Sequence, residues 1–280
     1  MYENYINEYE DYLFEEEKSD NTIKAYKKDI EQFYEIVDKQ NPASIAKKDI
    51  IVYKRALRSL KLSAYTINRK LTAISCYIKF LNTKKDFKII VEIKKEKIQK
   101  QKCLKEILNK TDYRRMLYAA ERAEDKRAVA LFKCLYLTGM RISEVLQLTP
   151  EDIEEHKIYV LGKGSKERMV IIPVELKKAF VEYLAIRKDT GDKLFTGKCG
   201  NLNRQGAHCI IKKYASKAKV KLSKAHAHAF RHLYGILGIR ERGLTMDEVA
   251  DLLGHSDINT TRIYTRRTEE ELIKIADKFE

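Results

Sequence analysis

The sequence predicts a mainly α-helical protein with a small antiparallel β-sheet. Only three Pro and 11 Gly interrupt 280 residues, so helix breakers are scarce. Apolar residues recur at helical spacing through most of the chain. One stretch, residues 157–172, alternates instead about Gly162-Lys163-Gly164-Ser165, a hairpin signal. The length allows one large domain or two ordinary ones, and 44% hydrophobic residues suffice for a core.

Residues 1–82 read as a helical domain. A helix opens among Ser19 to Thr22 and carries Ile23, Tyr26, Ile30, Phe33 and Val37 on one face until Asn41-Pro42 ends it. Another runs from Lys47 to Leu60 with Ile50, Tyr53 and Leu57 inward. Ser63 opens a further helix whose stripe is Ile67, Leu71, Ile74, Ile78 and Leu81. Its other face begins with Asn68, Arg69 and Lys70, which suit either a solvated surface or contacts to the phosphates and base edges of DNA. Residues 83–103 read as a basic linker, with six Lys against three acidic residues between Asp86 and Lys102. Such a connector is either a solvated tether or a strap across a duplex.

Residues 104–280 form the second domain. Helices are expected from Thr111 to Ala123 and from Lys126 to Leu137. Gly139 then closes one helix and Ser143 lies near the start of the next, which leaves Arg141 at a corner with Glu144 close enough to brace it. The hairpin follows, with Lys163 at its tip. Helices are next expected over Val174 to Lys188 and Arg204 to Ala218. Within AHAFRH, His228 and Arg231 stand three apart and share a helix face, with His226 and His232 nearby. Thr245 and Glu248 make a capping box for a helix that Gly254 can terminate, Asp257 can cap the next short helix, and that helix carries Tyr264 nine residues after His255. A last helix, capped by Thr268 and Glu271, has a narrow apolar stripe of Leu272, Ile275, Ala276 and Phe279. That stripe packs either on its own domain or on a neighbouring protomer.

Lys and Arg number 56 against 41 Asp and Glu, a formal charge of +15. An excess spread along the whole chain points to nucleic acid in preference to a membrane, unless Lys serves only as a solvated surface residue. Five Cys without a CxxC spacing fit reduced thiols, no apolar run approaches a membrane span, and MYENYINEYE has no signal-peptide character. A cytoplasmic protein, associated with the nucleoid, is expected.

Arg141, Lys163, His228, Arg231, His255 and Tyr264 are the residues with chemistry to offer. Two guanidiniums can hold the non-bridging oxygens of a phosphodiester. A phenol in their field can act as nucleophile, and a lysine on a hairpin can protonate the leaving 5′ oxygen. No HExxH is present and no Cys or carboxylate stands at ligand spacing, so neither metal nor other cofactor is expected. A covalent phosphotyrosine keeps the energy of the broken bond, so ATP and Mg²⁺ are not needed.

The ordered set TGMRISEV, GKGSKERMVIIP, HAFRH and LLGHSDINTTRIYT resembles the tyrosine recombinases, or phage integrases, particularly their Xer-type and short phage or transposon members. SDNTIKAYKKDIEQF and TINRKLTAISCYIKFL are similar to that family's core-binding domain. The resemblance implies a SAM-like helical core-binding domain and a mixed α/β catalytic domain forming a C-shaped clamp on DNA. It implies Tyr264 as nucleophile, Arg141 and Arg231 as phosphate clamps, Lys163 as general acid, and His228 and His255 in support. It further implies double-stranded recombination sites as partners, a homotetramer on synapsed DNA, a Holliday-junction intermediate, and exchange of the 268–280 helix between protomers. It leaves room for an accessory directionality factor and for a monomer in the absence of DNA. Where the family usually has Pro ahead of the second-motif His, this chain has Ala227, and no arm-binding domain is expected ahead of residues 1–82. Two other readings are a type IB topoisomerase, which uses the same phosphotyrosine logic without a partner protomer, and a catalytically silent DNA-binding regulator.

Overall fold

The computed structural model describes residues 2–98, 107–161, 167–188, 191–197, 200–255 and 258–265, together with residues 273 and 277. Lys163, Asp257, the 268–271 capping box and nearly all of the expected 268–280 helix lie outside the described residues. The chain divides into two compact units, Met1–Lys100 and Gln101–Glu280.

The first unit is built from α1 (Tyr2–Glu15), α2 (Asp20–Val37), α3 (Lys47–Ser59) and α4 (Ala64–Lys84). Ser63 caps α4 by accepting from the Thr66 amide, as its position suggests. The apolar stripes of α2, α3 and α4 meet in one core around Ile30, Phe33, Tyr53, Leu57, Leu71, Ile74 and Tyr77. Asp29 of α2 lies inside this unit, 2% exposed, and takes both Arg69 Nη1 at 2.5 Å and Lys70 Nζ at 2.7 Å from α4. Asn68 on the same helix clamps the backbone of Glu96. Its amide nitrogen donates to the Glu96 carbonyl at 3.0 Å and its oxygen accepts from the Glu96 amide at 2.7 Å. Asn82 holds Ile89 in the same way, with both bonds at 2.9 Å. Two asparagines fourteen residues apart on α4 therefore bind the extended segment that follows it, and Arg58 and Lys54 of α3 pair with the Glu96 carboxylate. Thus Asn68, Arg69 and Lys70 all engage protein groups, although 46% of the Arg69 side chain stays exposed.

The second unit contains α5 (Lys110–Glu121), α6 (Lys126–Thr138), the short α7 (Ile142–Val145), the strands β1 (Lys157–Leu161) and β2 (Glu167–Ile171), then α8 (Val174–Leu184), α9 (Arg204–Lys217), α10 (Ala227–Arg240) and α11 (Met246–Leu253). The two strands pair antiparallel as the hairpin signal predicts, with Tyr159 opposite Met169 and Val160 opposite Arg168. Ile158, Val160 and Val170 turn inward, and so does one charged residue, Arg168. The α8 helix stops at Leu184, short of the predicted Lys188. The chain turns there and Arg187 donates to the carbonyls of Lys193 and Leu194, contacts an extended helix would not reach. Tyr264 sits in a 3-10 helix, Ile258–Thr265. Three residues per turn stack Thr261 and Tyr264 on one side, and both are buried.

Asp29 ties α2 to α4 with a buried charge, and removing it leaves Lys70, which is 13% exposed, and the half-exposed Arg69 without that partner. Asp29→Ala is expected to destabilise the first unit by about 3 kcal/mol, against a small change for Asp20→Ala at the exposed start of α2. Urea unfolding of the full chain, followed by tyrosine fluorescence, measures both.

Candidate active site

The site forms where three helix ends meet. α6 terminates at Gly139 in the left-handed conformation (φ 61°), and a Cβ there would fall 2.7–2.8 Å from Tyr234 and Leu253. Arg141 then caps α7, and Glu144 closes the turn on it. The Arg141 amide donates to Glu144 Oε2 at 2.8 Å, and Arg141 Nη1 donates to Glu144 Oε1 at 2.7 Å. Arg231 enters from α10, 1% exposed, and donates to the Gly139 carbonyl at 3.0 Å. The third end belongs to α11, started by the Thr245–Glu248 capping box and closed at Gly254 (φ 64°).

The last carbonyls of α11 have no partner within the helix, and its dipole is negative there. Three guanidiniums fill that end. Arg168 donates to the carbonyl of Leu252 at 2.6 Å, Arg231 to Leu253 at 2.5 Å, and Arg141 to Gly254 at 3.4 Å. Arg168 also donates to Glu144 Oε2 at 2.8 Å, so one buried carboxylate serves two arginines. Burial alone would push the Glu144 carboxyl up, but the charge of Arg168 and the hydrogen bonds from Arg141 and Arg168 hold it below the usual range. Burial and the neighbouring arginines lower Arg231 to about 10, which still leaves it charged at neutral pH.

Tyr264 lies in this positive field, 1% exposed. Burial raises its phenol above the ordinary value, against the charges of Arg231 and Arg141. Its ring rests on Gly235 of α10, where a Cβ would come within 2.6 Å of Cδ2, so only glycine permits this seat. The His232 ring meets the phenol ring edge-on at 5.5 Å and is itself met edge-on by the His228 ring at 4.3 Å. His255 stacks beside Tyr264 at 6.0 Å, and its Nδ1 bonds Thr261 Oγ at 2.8 Å, which fixes the ring. Burial, then the cationic neighbours, lowers all three imidazoles, with His232 and His255 at about 4. They are neutral at pH 7 and free to accept or donate a proton at an oxygen nearby.

Arg141, His228, Arg231, His255 and Tyr264 are thus brought together, whereas Asn68, Arg69 and Lys70 belong to the other unit. Among the described residues no group of three or more His, Cys, Asp or Glu could hold a metal ion. The arrangement can bind one phosphodiester, neutralise charge gathering on it, and present a phenol oxygen to the phosphorus. Sequence reasoning did not single out Arg168, Gly235 or Thr261. Only Arg168 left a signal, as a charge two residues before Val170 on the same face of an alternating strand.

Family models match most of the chain, the phage integrase family over residues 106–271 and the phage integrase N-terminal SAM-like domain over residues 6–85. The chain belongs to the phage integrase family. Tyrosine recombinase XerD of Rickettsia bellii is 30% identical over 285 residues, covering 94% of this chain and 93% of that one. The XerH site-specific recombinase bound to palindromic difH substrate, a post-cleavage complex, shares the fold with a TM-score of 0.73 at 23% identity, over 91% of this chain and 78% of that chain. A lambda integrase tetramer bound to a Holliday junction shares it with a TM-score of 0.69 at 15% identity, over 91% and 77%. As a tyrosine recombinase the chain is an enzyme of site-specific recombination that cuts and rejoins DNA. No helix among its described residues is long and apolar enough to cross a membrane.

The depressed imidazoles make this integrase-family site acid-sensitive. The folded state binds fewer protons than the unfolded chain between pH 6.5 and about 4, so stability present at neutral pH is lost as pH falls through that window. Thermal unfolding at pH 7.5, 6, 5 and 4 is expected to show a progressive drop, shallower in His232→Asn. An unchanged slope in that variant counts against the buried neutral ring.

Proposed function

We propose that Tyr264 attacks the scissile phosphate and forms a 3′-phosphotyrosine, with the 5′ hydroxyl as leaving group. Arg141 and Arg231 hold the non-bridging oxygens, and His228 and His255 hydrogen-bond the phosphate or take the phenol proton. Lys163 protonates the departing 5′ oxygen. The bond energy stays in the phosphotyrosine, and a second DNA 5′ hydroxyl reverses the step on a new strand. Two such rounds, on a tetramer holding two sites, pass through a Holliday junction.

The observation that carries this reading is the seat of the Tyr264 ring on Gly235 of α10, the helix that carries Arg231 of the same chain, beside His232 and His255. It favours attack on a phosphate held by the nucleophile's own protomer. The phenol lies buried here and both Nη atoms of Arg231 meet carbonyls, so an entering phosphate displaces contacts before it is clamped. A type IB topoisomerase shares the chemistry, but the relatives and the tetramer on a Holliday junction favour recombination. A silent regulator is disfavoured because no member of the six-residue set is missing from the sequence.

Sequencing genomic DNA trapped covalently on the protein supplies the recombination site. On nicked duplexes carrying that site, Tyr264→Phe is expected to bind like the parent and to form no covalent adduct. A trapped adduct in that variant assigns the nucleophile elsewhere. Truncation ahead of Thr268 is expected to weaken pairing of two sites far more than binding to one, because the terminal apolar stripe is read as the part exchanged between protomers. Equal losses in both gel-shift measurements argue for a stripe that packs on its own domain.

A further inference from the structure

We propose that Arg168 is a positioning residue for the phosphate clamp, dividing the charge of Glu144 so that Arg141 remains available to substrate. The inference rests on Arg141 and Arg231 acting as that clamp.

Arg168 stands on β2 at a position where the strand otherwise turns apolar residues inward, two residues before Val170. Its two Nη atoms reach different elements, Nη1 the Leu252 carbonyl at the end of α11 and Nη2 the Glu144 carboxylate of α7. Its stem lies so close to Gly254 that a Cβ there would fall 2.6 Å from Arg168 Cδ. Its Nε is buried without a hydrogen-bond partner. A buried guanidinium with one donor unsatisfied is a poor stabiliser, and apolar residues of similar volume usually serve the fold as well or better. The arrangement therefore suits a role other than stability.

Glu144 shows what that role is. Its Oε2 accepts from the Arg141 amide and from Arg168, while its Oε1 accepts from Arg141 Nη1. Without Arg168, the full charge of a buried carboxylate would fall on Arg141. Arg141 is the most open of the three arginines, with 34% of its side chain exposed, and so the one an entering phosphate meets first. A carboxylate drawing on it alone would compete with that phosphate. With Arg168 present, three guanidiniums and one carboxylate leave two net positive charges at the α11 end, a match for the charge that builds on phosphorus-bound oxygens during attack. Lysine cannot substitute, because one ammonium cannot span the Leu252 carbonyl and Glu144 as the fork does.

The test compares two duplexes bearing the recombination site in single-turnover cleavage. One has an ordinary scissile phosphodiester, and the other has a neutral methylphosphonate there. Arg168→Met is expected to cleave the phosphodiester roughly 100-fold more slowly, the scale for loss of one positioned charge-stabilising group, with site binding nearly unchanged. On the methylphosphonate, where one less negative charge needs stabilising, the defect is expected to shrink to less than about tenfold. Arg168→Lys is expected to show a defect of the same kind, and it decides the matter if the Met variant does not fold. Equal defects on both duplexes, or cleavage at the parent rate by Arg168→Lys, overturn the proposal and leave Arg168 a packing residue. Arg141→Ala is measured alongside. If its defect is also indifferent to phosphate charge, the clamp assignment fails. If only the Arg168 variants are indifferent, the clamp stands and this inference falls.

Discussion

Three consecutive carbonyls at the end of α11 accept hydrogen bonds from three arginines that arrive from β2, α10 and the α6–α7 corner. Like charges do not gather in a protein interior unaided. Here the unpaired carbonyls and the negative end of the helix dipole, together with the Glu144 carboxylate, hold them close. The same helix end releases the chain into His255 and, a few residues later, Tyr264. One short helix of eight residues therefore sets both the positive charge and the approach of the nucleophile.

That coupling explains why three glycines stand where they do. Gly139 lets the α6 corner pass against Tyr234 and Leu253, Gly254 leaves room for the Arg168 stem, and Gly235 provides the seat for the Tyr264 ring. In each case a single methyl group would push on an atom of the site. The site is assembled by backbone approach as much as by side chains. The phenol lies buried within it, and the imidazoles beside it are held below their ordinary range.

The first unit follows a different rule. Its polar α4 face, whose sequence suits either a solvated surface or contacts to DNA, has Asn68, Arg69 and Lys70 hydrogen-bonded within the unit. Asn68 and Asn82 hold the extended segment after α4 by its backbone, and Arg69 with Lys70 neutralises Asp29. Basic residues near a nucleic-acid enzyme's surface can thus serve its own fold, and a charge count does not distinguish the two uses.

Much of this protein is determined locally and could be read along the chain. Helix stripes, the Thr245–Glu248 box, the Gly139 and Gly254 stops, the pairing of two strands in a hairpin and the three-residue spacing of His228 and Arg231 all depend on neighbours within a few positions, where side-chain periodicity and capping chemistry act directly. The ordered motifs likewise marked Lys163 and five described residues, and those five converge. Tertiary structure alone decided what each charge faces. Asp29 meets Arg69 across 40 residues, Arg168 meets Leu252 across 84, and Arg231 meets Gly139 across 92. Such partners are chosen by how helices pack, and an unpaired polar group in a core is costly enough that packing must satisfy it wherever a partner lies in the sequence.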